Sequence, residues 1–88
     1  MPETTYPTDR DAVAQQYRAT ISAAVRILER HARQCRDAVE DRTDLAACAD
    51  TATQAARYYA QADRDRAAAL AYTDAARLVA AALDELPR

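Results

Sequence analysis

From Val13 to Val39 the apolar residues fall into a stripe. Tyr17, Ile21, Ala24, Leu28, His31, Cys35 and Ala38 are separated by alternating fours and threes. That spacing lines one face of an α-helix and approaches a heptad seam. Val13, Val25, Ile27, Ala32 and Val39 widen the stripe, whereas Arg18, Arg26, Glu29, Arg30, Arg33, Arg36 and Asp37 fall mostly on the other side. The pattern predicts a long amphipathic helix with the single His and the first Cys on its buried face.

The helix boundaries follow from capping chemistry. Thr8 is a good N-cap with Asp11 three residues on, and Asp9 and Asp11 sit at the positive end of the helix dipole. The first helix is expected over about 9–41, a rod of roughly 48 Å. Residues 1–7, with Pro2 and Pro7 and no periodicity, read as a flexible tail preceding one helical domain over 8–88. The polar run Glu40-Asp41-Arg42-Thr43-Asp44 reads as a tight turn, with Thr43 or Asp41 capping the next helix.

A second helix over about 44–63 carries Leu45, Cys48, Ala52, Ala55, Tyr59 and Ala62 on one stripe, with Ala49 and Ala56 beside it. Asp63-Arg64-Asp65-Arg66 interrupts that stripe, and Asp63 or Asp65 is a candidate cap for a third helix over about 66–86. That helix carries Tyr72, Ala76, Val79, Leu83 and Leu86, flanked by Ala75 and Ala82, and ends at Pro87. The alternative joins the last two helices into one rod of about 43 residues, near 65 Å. The expected fold class is all-α. It is an antiparallel helical hairpin or a three-helix bundle with long alanine-rich helices, completed to a four-helix-type bundle by oligomerisation.

Composition explains the oligomer. Half of the 88 residues are apolar, but 24 are Ala, only 12 are Val, Ile or Leu, and Phe and Trp are absent. At roughly 25 cal/mol per Å² of buried apolar surface, so thin a core comes out near break-even against chain entropy. A partner chain, either a second copy or another helical protein, supplies the missing burial. Gly and Asn are both absent. Without them there is no phosphate-cradling loop, no dinucleotide fingerprint and no nucleophile elbow of the usual kind, and every tight break in the chain is costly.

The net charge is −2 and every cation is Arg. Glu29/Arg33, Arg33/Asp37 and Arg36/Glu40 are spaced i,i+4, the pattern of a solvated, salt-bridged face rather than a basic stripe for nucleic acid. Arg without Lys, with abundant Ala, fits a GC-rich bacterial coding sequence. No basic segment followed by an apolar run marks a signal peptide, and no window approaches a membrane span. Two Cys without an export signal point to the reducing cytoplasm.

The best candidate site is metal-ligating. His31 and Cys35 are spaced i,i+4 and share a helix face. With the turn centred near Arg42, Cys35 lies seven residues before it and Cys48 six after, so the two thiols face each other across the hairpin. Cys and His prefer zinc and copper, and Cu(I) tolerates two or three soft ligands where structural Zn²⁺ wants four. Asp44 or a second chain would complete a four-coordinate site. The competing reading is that the thiols and the imidazole pack as core. Tyr17, Tyr58, Tyr59 and Tyr72 fill gaps between alanine-rich helices or meet a partner. Tyr58 and Tyr59 are adjacent and diverge by about 100°, so one leaves the seam and becomes the better partner contact. No enzyme is expected. A Cys35–His31 pair would need an exposed electropositive cleft and an oxyanion hole. Asp74, near Leu70 and Leu78, has Arg77 to pair with.

Two family resemblances attach to these stretches. The run Cys48-Ala-Asp-Thr-Ala-Thr-Gln-Ala-Ala-Arg-Tyr-Tyr-Ala-Gln61 resembles one repeat of the four-helix-bundle cytosolic copper-storage proteins, which line their interior with Cys and load Cu(I). This chain has Ala, Thr or Tyr at most positions where those proteins carry Cys, so the resemblance leaves only Cys35, Cys48 and His31 as ligands. Tyr59-Ala-Gln-Ala-Asp63 looks like the Tyr-x-x-x-Asp secretion signal of the WXG-type helical hairpins exported by type VII systems. The Trp-x-Gly turn of those hairpins is missing.

Overall fold

The computed structural model describes residues 9–86. The expected cap at Thr8, the tail over 1–7 and the stop at Pro87 lie outside them. Two α-helices account for nearly all the described residues: α1, Asp9–Ala47, and α2, Ala52–Asp84. At 39 and 33 residues they are about 58 and 50 Å long, and they pack antiparallel along their length. No strand occurs among the described residues.

The turn is later than the polar run 40–44 indicates. Nothing in that run stops a helix. Thr43, expected as a cap, instead donates its hydroxyl to the Val39 carbonyl at 2.8 Å and stays inside α1. The helix closes with Cys48 N–H shared between the Asp44 and Leu45 carbonyls, both at 3.2 Å. The next helix starts at a capping box. Thr51, with extended backbone at φ −131° and ψ 154°, accepts from Gln54 N–H at 3.1 Å. The Gln54 side chain reaches back to accept from Asp50 N–H, also at 3.1 Å. Such a cap contributes about 1 kcal/mol, and here it sets the start of a helix without any Gly.

The expected second and third helices are one. From Leu45 to Leu86 the chain has no Gly, Asn or Pro, so a break would need a compensating gain. The charged run at 63–66 needs none. Asp63 accepts from Arg66 at 2.7 Å on the exposed face, and Asp65 turns inward to meet Arg42 of α1.

The seam is a heptad repeat over the whole hairpin. On α1 it consists of Ala14, Arg18, Ile21, Val25, Leu28, Ala32, Cys35, Val39, Arg42 and Ala46. On α2 it consists of Ala55, Tyr58, Ala62, Asp65, Ala69, Tyr72, Ala76 and Val79, and continues to Leu83 and Leu86. Each is buried or half-buried, and the spacing alternates between threes and fours, as antiparallel coiled-coil packing requires. The stripe read from α1 was rotated: Ile21, Leu28 and Cys35 belong to both, but Tyr17 and His31 are exposed while Arg18 and Ala32 turn inward. On α2 the seam takes Tyr58 and not Tyr59, and Leu45 and Cys48 are exposed. The third-helix stripe of Tyr72, Ala76, Val79, Leu83 and Leu86 lies on the seam throughout.

Two contacts between the helices set the register. His31 stacks on Tyr72 with ring centroids 5.2 Å apart and planes inclined at 23°. Further towards the turn, Arg42 Nε stands 3.7 Å from Asp65 Oδ2. Both atoms are shielded, and neither makes a hydrogen bond within the chain. Such a pair adds little net stability but penalises a slipped register, because a one-heptad shift would leave each charge against an apolar layer. Asp65→Leu alone is expected to lower stability by about 1–2 kcal/mol, because it strands the Arg42 charge, whereas Arg42→Leu with Asp65→Leu matches or exceeds wild type. Urea denaturation at one fixed protein concentration measures both. Equal destabilisation of the single and double variants would contradict this role.

Candidate functional site

The seam divides the hairpin into two flanks of different chemistry. One flank is charged. A shallow open groove runs there between Glu29, Arg33 and Arg36 of α1 and Thr73 and Arg77 of α2, floored by Val25, Ala32, Ala76 and Ala80. It continues towards the turn past Val39, Glu40, Arg66, Ala69 and Leu70. Among the described residues Arg77 pairs with Asp74 at 3.4 Å and Arg66 with Asp63 at 2.7 Å, both three residues apart and both exposed. The pair Asp74–Arg77 is the one the sequence indicates. Glu29/Arg33, Arg33/Asp37 and Arg36/Glu40 do not close into ion pairs, in keeping with the low value of exposed pairs.

The opposite flank, marked by the His31–Tyr72 stack, is nearly free of charge. On α1 it presents Val13, Tyr17, Thr20, Ala24, Ile27, His31, Gln34 and Ala38 in the same alternating four-three spacing. On α2 it presents Ala68, Ala71, Ala75, Leu78 and Ala82. None of these is Asp, Glu or Arg, although 30% of the chain is charged. Ionic residues return only towards its ends, with Asp41 on α1 and Arg64 and Arg57 on α2 near the turn. Several of its large side chains are open to solvent: Tyr17 is 57% exposed, Ile27 49% and Leu78 76%.

The residues expected to bind metal do not gather in one chain. His31 and Cys35 stand one turn apart on α1, with His31 turned out onto the apolar flank and Cys35 half-buried on the seam. Cys48 is exposed at the C-terminal end of the same helix. The placement of the two thiols face to face depended on a turn near Arg42. With the turn at 48–51, thirteen residues of α1 separate them, about 20 Å along the axis. Among the described residues no group of three or more His, Cys, Asp or Glu side chains is close enough to share an ion. Of the two adjacent tyrosines, Tyr59 is the one that leaves the seam, at 51% exposure on the charged flank. The charge-free flank is hard to see in the sequence because its α1 half suits the hairpin's own interior equally well. The signal that identifies it is the second four-three column, offset from Val25, Ala32 and Val39 by one residue.

Compared with known protein families, with curated proteins and with solved structures, the chain matches none.

The two thiols differ in access, which gives a direct check on the position of the turn. With a maleimide reagent under native, reducing-agent-free conditions, Cys48 is expected to react at the rate of a free peptide thiol and Cys35 at least tenfold more slowly, as burial dictates. Mass spectrometry of partly labelled protein resolves the two. Equal rates would contradict the seam position of Cys35.

Proposed function

We propose that this chain is a non-enzymatic helical interaction protein that acts by self-association, each hairpin supplying half of a larger helical bundle. The observation that supports this most is a mismatch between what the hairpin buries and what it exposes. Among the described residues the five that are fully buried are all alanine: Ala32, Ala46, Ala62, Ala69 and Ala76. Seven large apolar side chains of the same stretch stand exposed, led by Leu78 and by Leu70 at 64%. A buried methyl contributes about 0.8 kcal/mol, whereas a Leu or Ile transferred from water contributes roughly 1.5–3 kcal/mol. A substantial share of the available hydrophobic free energy is therefore left for a second surface to realise.

Charge and hydropathy favour protein as that surface. The net charge is −2, and the arginines alternate with acids on the charged flank, which supports neither phosphate-backbone binding nor attachment to anionic lipid. No helix among the described residues is long and apolar enough to cross a membrane. A helical hairpin with an apolar flank fits another helical face, and every copy of the chain carries one.

Size-exclusion chromatography with multi-angle light scattering tests the proposal. At tens of micromolar the protein is expected to elute at an integral multiple of 9.7 kDa, at least the dimer mass. A folded monomer of 9.7 kDa throughout that range, with full helical circular dichroism, would overturn it.

A further inference from the structure

We infer that the charge-free flank is the docking surface for a second copy of this chain, and that the two hairpins dock with their turns at the same end. The inference rests on the self-association proposed above and specifies its face and orientation. The size of the flank is appropriate. Its charge-free part runs from Val13 to Ala38 on α1, about 38 Å, and from Ala68 to Ala82 on α2, about 21 Å, each about 10 Å wide. That is roughly 600 Å² per copy, at the lower end of the roughly 600–1,000 Å² per partner of a standard stable interface.

The orientation follows from register. Stacking two such flanks about a two-fold axis along the hairpin sets α1 of one copy beside α2 of the other, antiparallel and at unchanged level. The contact is isologous, so every pairing occurs twice. Asp41 and Arg64 immediately precede Arg42 and Asp65, the pair that bridges the helices, so they stand level on opposite helices. Both are exposed and both lie at the rim of the apolar flank. Each Asp41 therefore meets the second copy's Arg64. Ile27 is four residues from His31 and Leu78 six from Tyr72, both away from the turn, so they are level to about 3 Å. Each Ile27 thus packs on the second copy's Leu78, covering two of the most exposed apolar side chains. The other two-fold, across the hairpin, sets α1 on α1 and α2 on α2, which parts each Asp41 from the second copy's Arg64 and each Ile27 from the second copy's Leu78.

The experiment combines association measurements with one distance. Sedimentation equilibrium on wild type, Leu78→Glu, Leu70→Glu, Asp41→Arg, Arg64→Asp and the Asp41→Arg, Arg64→Asp double variant gives the association constants, with helical circular dichroism as the folding check. Leu78→Glu is expected to weaken association at least thirtyfold, and Leu70→Glu, on the charged flank, less than twofold. Each charge reversal acts at two symmetry-related pairs and weakens association about fivefold, and the double variant returns to within twofold of wild type. This swap keeps the test decisive where Leu78→Glu fails to fold. A nitroxide on Cys48 in the Cys35→Ala protein, read by pulsed dipolar spectroscopy, is expected to show about 20–35 Å between copies for turns at one end and about 65 Å for turns at opposite ends. An associated protein that ignores Leu78→Glu, dissociates with Leu70→Glu or shows no rescue in the double variant overturns the docking face and leaves self-association standing. The longer distance overturns the orientation. A wild type that is monomeric throughout overturns self-association itself.

Discussion

Alanine at the centre of the seam is the constraint on which the rest of this structure depends. A coiled-coil layer whose side chain is one methyl lets two backbones approach to the lower end of the roughly 8–10 Å range. Ala32 and Ala46 on α1, with Ala62, Ala69 and Ala76 on α2, are the fully buried residues of this seam among the described residues. The larger apolar residues are only half-buried on the seam, as with Ile21, Leu28 and Leu83, or lie outside it, as with Ile27, Leu70 and Leu78. The same feature that makes the hairpin narrow makes its surface apolar. Packing within the chain and the proposed association between chains follow from one composition.

The second constraint is the lack of residues that turn a chain cheaply. With no Gly and no Asn, a helix continues until a cap is good enough to stop it. Among the described residues Asp50-Thr51-Ala52-Thr53-Gln54 supplies one, with Thr51 Oγ1 accepting from Gln54 N–H and Gln54 Oε1 accepting from Asp50 N–H. Polar runs elsewhere are absorbed. Thr43 returns its hydroxyl to the helix, Asp63 finds Arg66, and Asp65 crosses to Arg42. Length then shapes the flank, because two unbroken rods present it continuously where three short helices would have folded it away.

The all-helical class and an antiparallel hairpin were legible from periodicity and from the missing breakers, while the unbroken second helix stood only as the alternative to two shorter ones. So was the seam from Tyr72 to Leu86, because the large residues there leave one phase. The phase of α1 was not. Ala24 and Val25, His31 and Ala32, Ala38 and Val39 are adjacent pairs in which either member suits an interior, and Ile21, Leu28 and Cys35 belong to both solutions. The two stripes differ by a rotation of roughly 50°, which apolar spacing alone does not resolve when alanine occupies both columns. What resolves it is the partner helix: Arg18 and Arg42 on the true seam look polar in sequence, and Asp65 explains Arg42 only once the chain has folded back. The position of the turn was lost for a related reason, since charge was taken as a mark of exposure and the capping box seven residues later carries no charge at its key positions. The candidate metal site depended on both readings, and its two thiols separated when the turn moved.

If folding free energy comes largely from surface buried between chains, thermal stability must depend on protein concentration by mass action. Circular dichroism melting from about 1 to 100 µM measures this without labels or variants. The account predicts a midpoint that rises by several degrees across that range, with full helicity at the upper end. A midpoint independent of concentration, with a cooperative transition and full helicity at 1 µM, would show that the alanine seam sustains the hairpin alone, and would contradict the account at its centre.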